Sequence, residues 1–136
     1  MKKFLQLVVV LTFLVTLNAC GPAEGVYFEN LEDGQTVSLP LTVQMGVVGM
    51  EVEPAGEMNK DKGHHHIIID GSWLKTGETV GASNTVIHYG KGQTEVTLTE
   101  ENITTPGEHT ITLQFANGLH QSYGEAWSKT ITVNVQ

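Results

Sequence analysis

The segment Gly63-His64-His65-His66-Ile67-Ile68-Ile69-Asp70 has the greatest capacity for chemistry in this 136-residue chain. Three imidazoles run into three β-branched residues, a composition that favours an extended strand. Alternate side chains of a strand point to opposite faces, so His64 and His66 share one side and His65 takes the other. An i, i+2 pair of neutral imidazoles can share a metal ion. Ile67 and Ile69 side with His65, and Ile68 with the other two, so alternation does not choose the core face.

Three further histidines, His88, His109 and His120, fall at strand edges or in the turn after a strand. Met50 and Met58 flank the Gly/Pro-containing loop 49–58, just ahead of the histidine run. Imidazole suits Zn, Cu and Ni, and thioether sulfur selects Cu(I), so this combination favours copper, with zinc as the other choice. His64 and His66 are the first candidate ligands. His88 and His120 come next because they lie outside the clearest apolar stripes, and Met50 or Met58 would add a soft ligand. The high-specificity zinc spacings, H-E-x-x-H or paired C-x-x-C, do not occur.

Packing roles compete with each assignment. His109 continues the apolar face of its strand and reads as a hydrogen-bonded rim residue. Met45 shares a face with Val37, Leu39, Leu41, Val43 and Val47 and reads as core. Met50 and Met58 serve equally well as caps on the open end of a sandwich. His64 and His66 serve equally well as exposed strand residues or as donors tying down the methionine loop.

Nothing in the sequence supplies a nucleophile motif such as Gly-x-Ser-x-Gly, so the expected role is binding rather than catalysis. Residues 90–94, Gly-Lys-Gly-Gln-Thr, lack the phosphate-loop spacing and read as a hairpin turn. The formal charge is −8, and without Lys2 and Lys3 only five Lys and no Arg face fifteen acidic residues. Nucleic acid is excluded as a partner, since phosphate binding needs Lys or Arg to displace counterions. An acidic surface instead favours cation capture.

The elements that must position these residues are strands. Val37 through Val47 alternates apolar with Thr, Ser and Gln, apart from a bend at Pro40. His109–Phe115 and Ile131–Val135 alternate with Thr, Gln and Asn, and Val26–Glu29, His64–Asp70, Thr85–Tyr89 and Thr94–Thr99 complete about seven strands separated by turn residues. Seven short strands in a chain of this size predict an all-β fold, an immunoglobulin-like antiparallel sandwich lacking the antibody disulfide. A Greek-key barrel is the alternative.

The first nineteen residues stand apart. Lys2 and Lys3 precede an apolar run from Phe4 to Leu17, which as a helix would rise only about 21 Å against a hydrocarbon core of about 30 Å. Residues 1–19 therefore read as a secretory signal. Leu17-Asn18-Ala19-Cys20 resembles a bacterial lipobox, with Cys20 acylated as the new N-terminus. A lone cysteine in an exported chain fits that role, since it has no internal disulfide partner. Residues 20–25 then form a short tether and 26–136 the folded domain. The expected location is the outer side of a bacterial membrane, held by a lipid anchor. Gly21 after the cysteine favours the outer membrane of a Gram-negative host, and another envelope protein is the partner expected if the domain is an interaction module.

Several short motifs together resemble an uncharacterised family of small exported bacterial proteins known only as a domain of unknown function. They include Val26-Tyr27-Phe28 with Glu32-Asp33-Gly34, Gly49-Met50 with Pro54-Ala55-Gly56, and Gly63-His64-His65-His66 through Asp70. They continue with His88-Tyr89-Gly90-Lys91-Gly92-Gln93-Thr94-Glu95, Pro106-Gly107-Glu108-His109-Thr110, and Leu113-Gln114-Phe115-Ala116-Asn117-Gly118 leading to His120 and Ser122-Tyr123-Gly124. Asn117 stands where similar sequences carry Asp, and Glu125 where they carry Pro; both departures bear on the C-terminal turn. The resemblance implies a single exported β-rich domain and carries no activity.

Overall fold

A computed structural model describes residues 23–136; the segment expected to be a signal, residues 1–19, and Cys20 lie outside the described residues. Nine strands form two sheets: β1 (Gly25–Phe28), β2 (Gln35–Val37), β3 (Leu41–Val48), β4 (Glu51–Val52), β5 (Lys62–Ile69), β6 (Val86–His88), β7 (Glu95–Leu98), β8 (Gly107–Ala116) and β9 (Ser128–Val135). A 3₁₀ turn, Glu125–Trp127, precedes β9. The smaller sheet has the order β1-β3-β7, and the larger β2-β9-β8-β5-β4, with β6 also paired to β5.

The expected all-β sandwich is the fold that forms. Its core follows from alternation: Val26, Leu41, Val43, Met45, Val96 and Leu98 of the smaller sheet meet Val37, Ile67, Ile69, Ile111, Leu113, Phe115, Ile131, Val133 and Val135 of the larger. Thr97 of the smaller sheet faces solvent.

Three details differ from the sequence expectation. Val37 and Leu41 share one alternating pattern yet belong to different sheets, because Pro40, which has no N–H to donate, interrupts the ladder and the chain crosses over. Two short strands, β2 and β4, pair in parallel with β9 and β5, so the sandwich is not purely antiparallel. The turn after His88 is also no hairpin, since β6 pairs with β5 in one sheet and β7 with β3 in the other.

One further layer bears on function. The long connection 70–85 runs across the outer face of the larger sheet, which would otherwise meet water. Thr112 Oγ1 donates to the Gly71 carbonyl at 2.9 Å, the Leu74 amide donates to Gln114 Oε1 at 3.0 Å, and Ser122 Oγ donates to the Leu74 carbonyl at 2.8 Å. Val80 is buried outside the main core. Both faces of β5 are therefore covered, which explains its unbroken burial from Gly63 to Ile69.

Candidate metal centre

β5 sends His64, His66 and Ile68 to the outer, loop-covered face and His65, Ile67 and Ile69 into the sandwich core. His66 lies opposite His88 of β6 in the antiparallel register, which puts the two imidazoles on the same side. Gly90 leaves room for the His88 ring: a Cβ there would stand 2.6 Å from its Cε1. Gly63 likewise lets the start of β5 approach β8, since a Cβ would meet the Ala116 carbonyl oxygen at 2.2 Å.

His120 arrives from the turn that follows β8, and Asn117 builds that turn. Asn117 Oδ1 accepts from the Leu119 and Gln121 amides at 2.9 and 3.0 Å, and its carbonyl accepts from the His120 amide. The Asn117 amide group also donates to Gln121 Oε1 and to the Met58 sulfur, bonds that an ionised Asp could not donate. His120 sits in the left-handed region, at φ 64°, which is uncommon for a residue other than Gly. The Val80 amide donates to its carbonyl at 2.8 Å, fixing the turn to the covering loop.

These four histidines converge. Each offers a ring nitrogen within 4.8 Å of the others, and His88 and His120 share an Nε2–Nε2 hydrogen bond of 2.8 Å. A tetrahedral ion with bonds near 2.0–2.1 Å needs nitrogens separated by about 3.3–3.4 Å, a distance inside that spread. His64 and His66 are wholly buried, and none of their four ring nitrogens has a hydrogen-bond partner among the described residues. Buried polar groups are almost always paired, and leaving one unpaired costs about 1–3 kcal/mol. Coordination would give each ring a partner.

Electrostatics favour the neutral, ligating form. Burial, then neighbouring His120 and His88, push His64 down to about 4. Burial first, then His64, His88 and His120, push His66 to about 3. Burial and the proximity of His120 also lower His88. The groove above the rings, about 280 Å³, is lined by His88, His120 and residues Thr79–Ala82, so the centre has an approach from solvent.

The other candidates have different surroundings. Met50 packs partly buried against the sandwich core, the capping role open to it from the sequence. Met58 is 62% exposed and its sulfur accepts from Asn117. The cluster the structure forms is one of histidines, with Met50 on the core and Met58 largely exposed. His109 bonds Asp70 Oδ2 through Nδ1 at 2.8 Å and reaches the Thr105 carbonyl through Nε2, as a rim residue should. His65 packs edge-on against Phe115 in the core.

Sequence reasoning missed the lid. Trp73, Leu74 and Val80, apolar residues in a stretch without periodicity, were the available signal that this loop covers something.

Fold and site together define a β-sandwich domain with a four-histidine cluster able to hold a metal ion. The chain belongs to the family described as Domain of unknown function (DUF4399), whose profile matches residues 43–136 and so includes all four histidines. Neither the curated proteins nor the solved structures contain a match to it.

Proposed function

We propose that this protein binds a transition-metal ion through His64, His66, His88 and His120, for storage or delivery at the bacterial envelope rather than for catalysis. The observation that carries the reading is the convergence of four imidazoles, two of them buried with every ring nitrogen unpartnered. Buried His65 shares the unpartnered state while packing on Phe115, so it is the convergence with His88 and His120 that sets His64 and His66 apart, and a bound ion would pair one nitrogen of each ring. Imidazole donors suit zinc and copper alike. Export and acylation at Cys20 belong to the same proposal and rest on the N-terminal sequence: a basic start, an apolar run and a lipobox-like Leu17–Cys20. The lipid would hold the domain close to the membrane, and the acidic composition would concentrate cations around it.

The test is a calorimetric titration of the purified chain with Zn(II), Cu(II) and Cu(I) against chelators of known affinity. One-to-one binding at micromolar or tighter, abolished in the His64→Ala/His66→Ala double variant, is the expected result. Weak, non-stoichiometric uptake that survives the double substitution would reject the metal reading and favour an interaction module. Lipidation is checked separately by incorporation of a labelled fatty acid, which Cys20→Ala should abolish.

A further inference from the structure

We infer that the four-histidine centre imposes tetrahedral coordination, and is therefore built for a closed-shell ion, Zn(II) or Cu(I), rather than for the tetragonal geometry of Cu(II) or Ni(II). This rests on the metal-binding reading above and goes beyond it by fixing the class of ion. Four donors on a square have two diagonal separations about 1.4 times the four edges, whereas a tetrahedron has six equal separations, and geometry of this kind discriminates between metals.

All six ring pairs are in contact. Centroid separations are 4.7 Å for His64–His66, 5.2 Å for His64–His88, 5.1 Å for His64–His120, 5.1 Å for His66–His88, 5.8 Å for His66–His120 and 4.3 Å for His88–His120. The pairing closest to diagonals, His64–His88 with His66–His120, exceeds the mean of the rest by a factor of only about 1.1. The His120 ring also stands at 79°, 78° and 73° to those of His64, His66 and His88. Three of the residues thus come from paired strands of one sheet, and His120 comes from the turn after β8 that the covering loop holds.

The origin of this shape is the backbone. His64 and His66 are two residues apart on one strand, His88 is fixed opposite His66 by register, and His120 is held by a turn bonded to the lid. With these backbone positions held, flattening the set into a square would require several of the four rings to change rotamer together. The donors are all neutral, so a bound ion keeps its full charge in a buried layer. For copper this favours Cu(I) over Cu(II), because the cost of burying charge rises with its magnitude.

The deciding experiment loads the purified chain with Co(II) and, separately, with Cu(II), Zn(II) and Cu(I). The expected Co(II) spectrum has visible bands several times more intense than those of aqueous Co(II), as four-coordination gives, and one equivalent of Zn(II) or Cu(I) abolishes it. Competition between those two ions identifies which is held more tightly, and either result fits the inference. Cu(II) should give an electron paramagnetic resonance spectrum with compressed parallel hyperfine splitting. His120→Ala should keep binding Co(II) with visible bands still intense but shifted in position, because water then takes the fourth place of a site that stays four-coordinate. Stoichiometric binding with weak six-coordinate Co(II) bands, a tetragonal Cu(II) spectrum, or a Co(II) spectrum left unshifted by His120→Ala would overturn this inference while leaving metal binding intact. Failure of every ion to bind would overturn both.

Discussion

Two buried polar regions lie side by side on the outer face of the larger sheet, under the same loop, and they are treated in opposite ways. Around Gln114 the protein supplies every partner: Oε1 accepts from the Leu74 amide, and Nε2 reaches the carbonyls of Gly124, Phe115 and Trp127 at 3.2–3.3 Å. Ser122 Oγ donates to the Leu74 carbonyl and accepts from the Gly124 amide. Around His64 and His66, equally buried, the protein supplies none for the ring nitrogens. The difference separates polar groups that hold a loop down from buried imidazoles left without partners among the described residues, a state His65 in the core shares but which only His64 and His66 combine with convergence on His88 and His120.

The strongest way to break the contrast is to remove the unpartnered pair. His64→Ala/His66→Ala should lower metal affinity by more than about 100-fold, since removing a ligand exceeds the 10–100-fold cost of disturbing a ligand's outer partners. Calorimetry reads this directly. Next, saturation at a hundred times Kd should stabilise the wild-type chain by about 2.7 kcal/mol. For a domain of this size that is a rise in Tm on the order of 10 °C, measured by thermal melting with and without the ion.

On the satisfied side, Gln114→Leu should cost about 2 kcal/mol in urea unfolding, because the Leu74 amide loses its acceptor and the Gly124 carbonyl its donor. Metal affinity should change less than tenfold in that variant. Loss of binding comparable to the histidine double variant would show that the two regions are one unit.

Acidity separates them further. His64 and His66 are held near 4 and 3, below the usual 6.5, chiefly by burial. The unfolded chain therefore takes up more protons than the folded one below about pH 6.5, and stability falls as pH drops from there through 4. Urea midpoints at pH 7 and pH 5 without metal should show the decline, and saturating metal should reduce it. His109 behaves in the opposite sense. Its hydrogen bond to Asp70 raises its pKa, so the pair stabilises fully below about 6.5 and the benefit disappears as pH rises through the higher folded value. Because the Asp70 side chain is 52% exposed, that effect should stay under about 1 kcal/mol. A histidine titration by NMR should show the raised value fall back in Asp70→Asn.

Much of the framework was legible in one dimension. Alternating Thr and aliphatic residues identified β3, β8 and β9, and Met45 and His109 fell where their patterns put them. The histidine run was recognisable as a strand, but its core side was not, because three consecutive isoleucines carry no alternation. The crossing at Pro40 escaped for a similar reason: the period-two pattern passes through a change of sheet without a break. The surroundings of Met58, largely exposed with its sulfur accepting from Asn117, were not legible, because proximity in sequence to a histidine run does not fix where a loop residue ends up.

By itself the sequence determined that strands form, that His64 and His66 leave β5 on one side and His65 on the other, and that acidic residues outnumber basic ones. Those are consequences of local stereochemistry and composition, which each residue carries wherever it lies. Only the tertiary structure decided that His88 faces His66, that His120 descends from a turn shaped by Asn117, and that His64 and His66 are buried while His88 and His120 line an open groove. Register between strands and the path of a connection depend on contacts among residues far apart in the chain, and those contacts turned an i, i+2 pair into a four-nitrogen cluster.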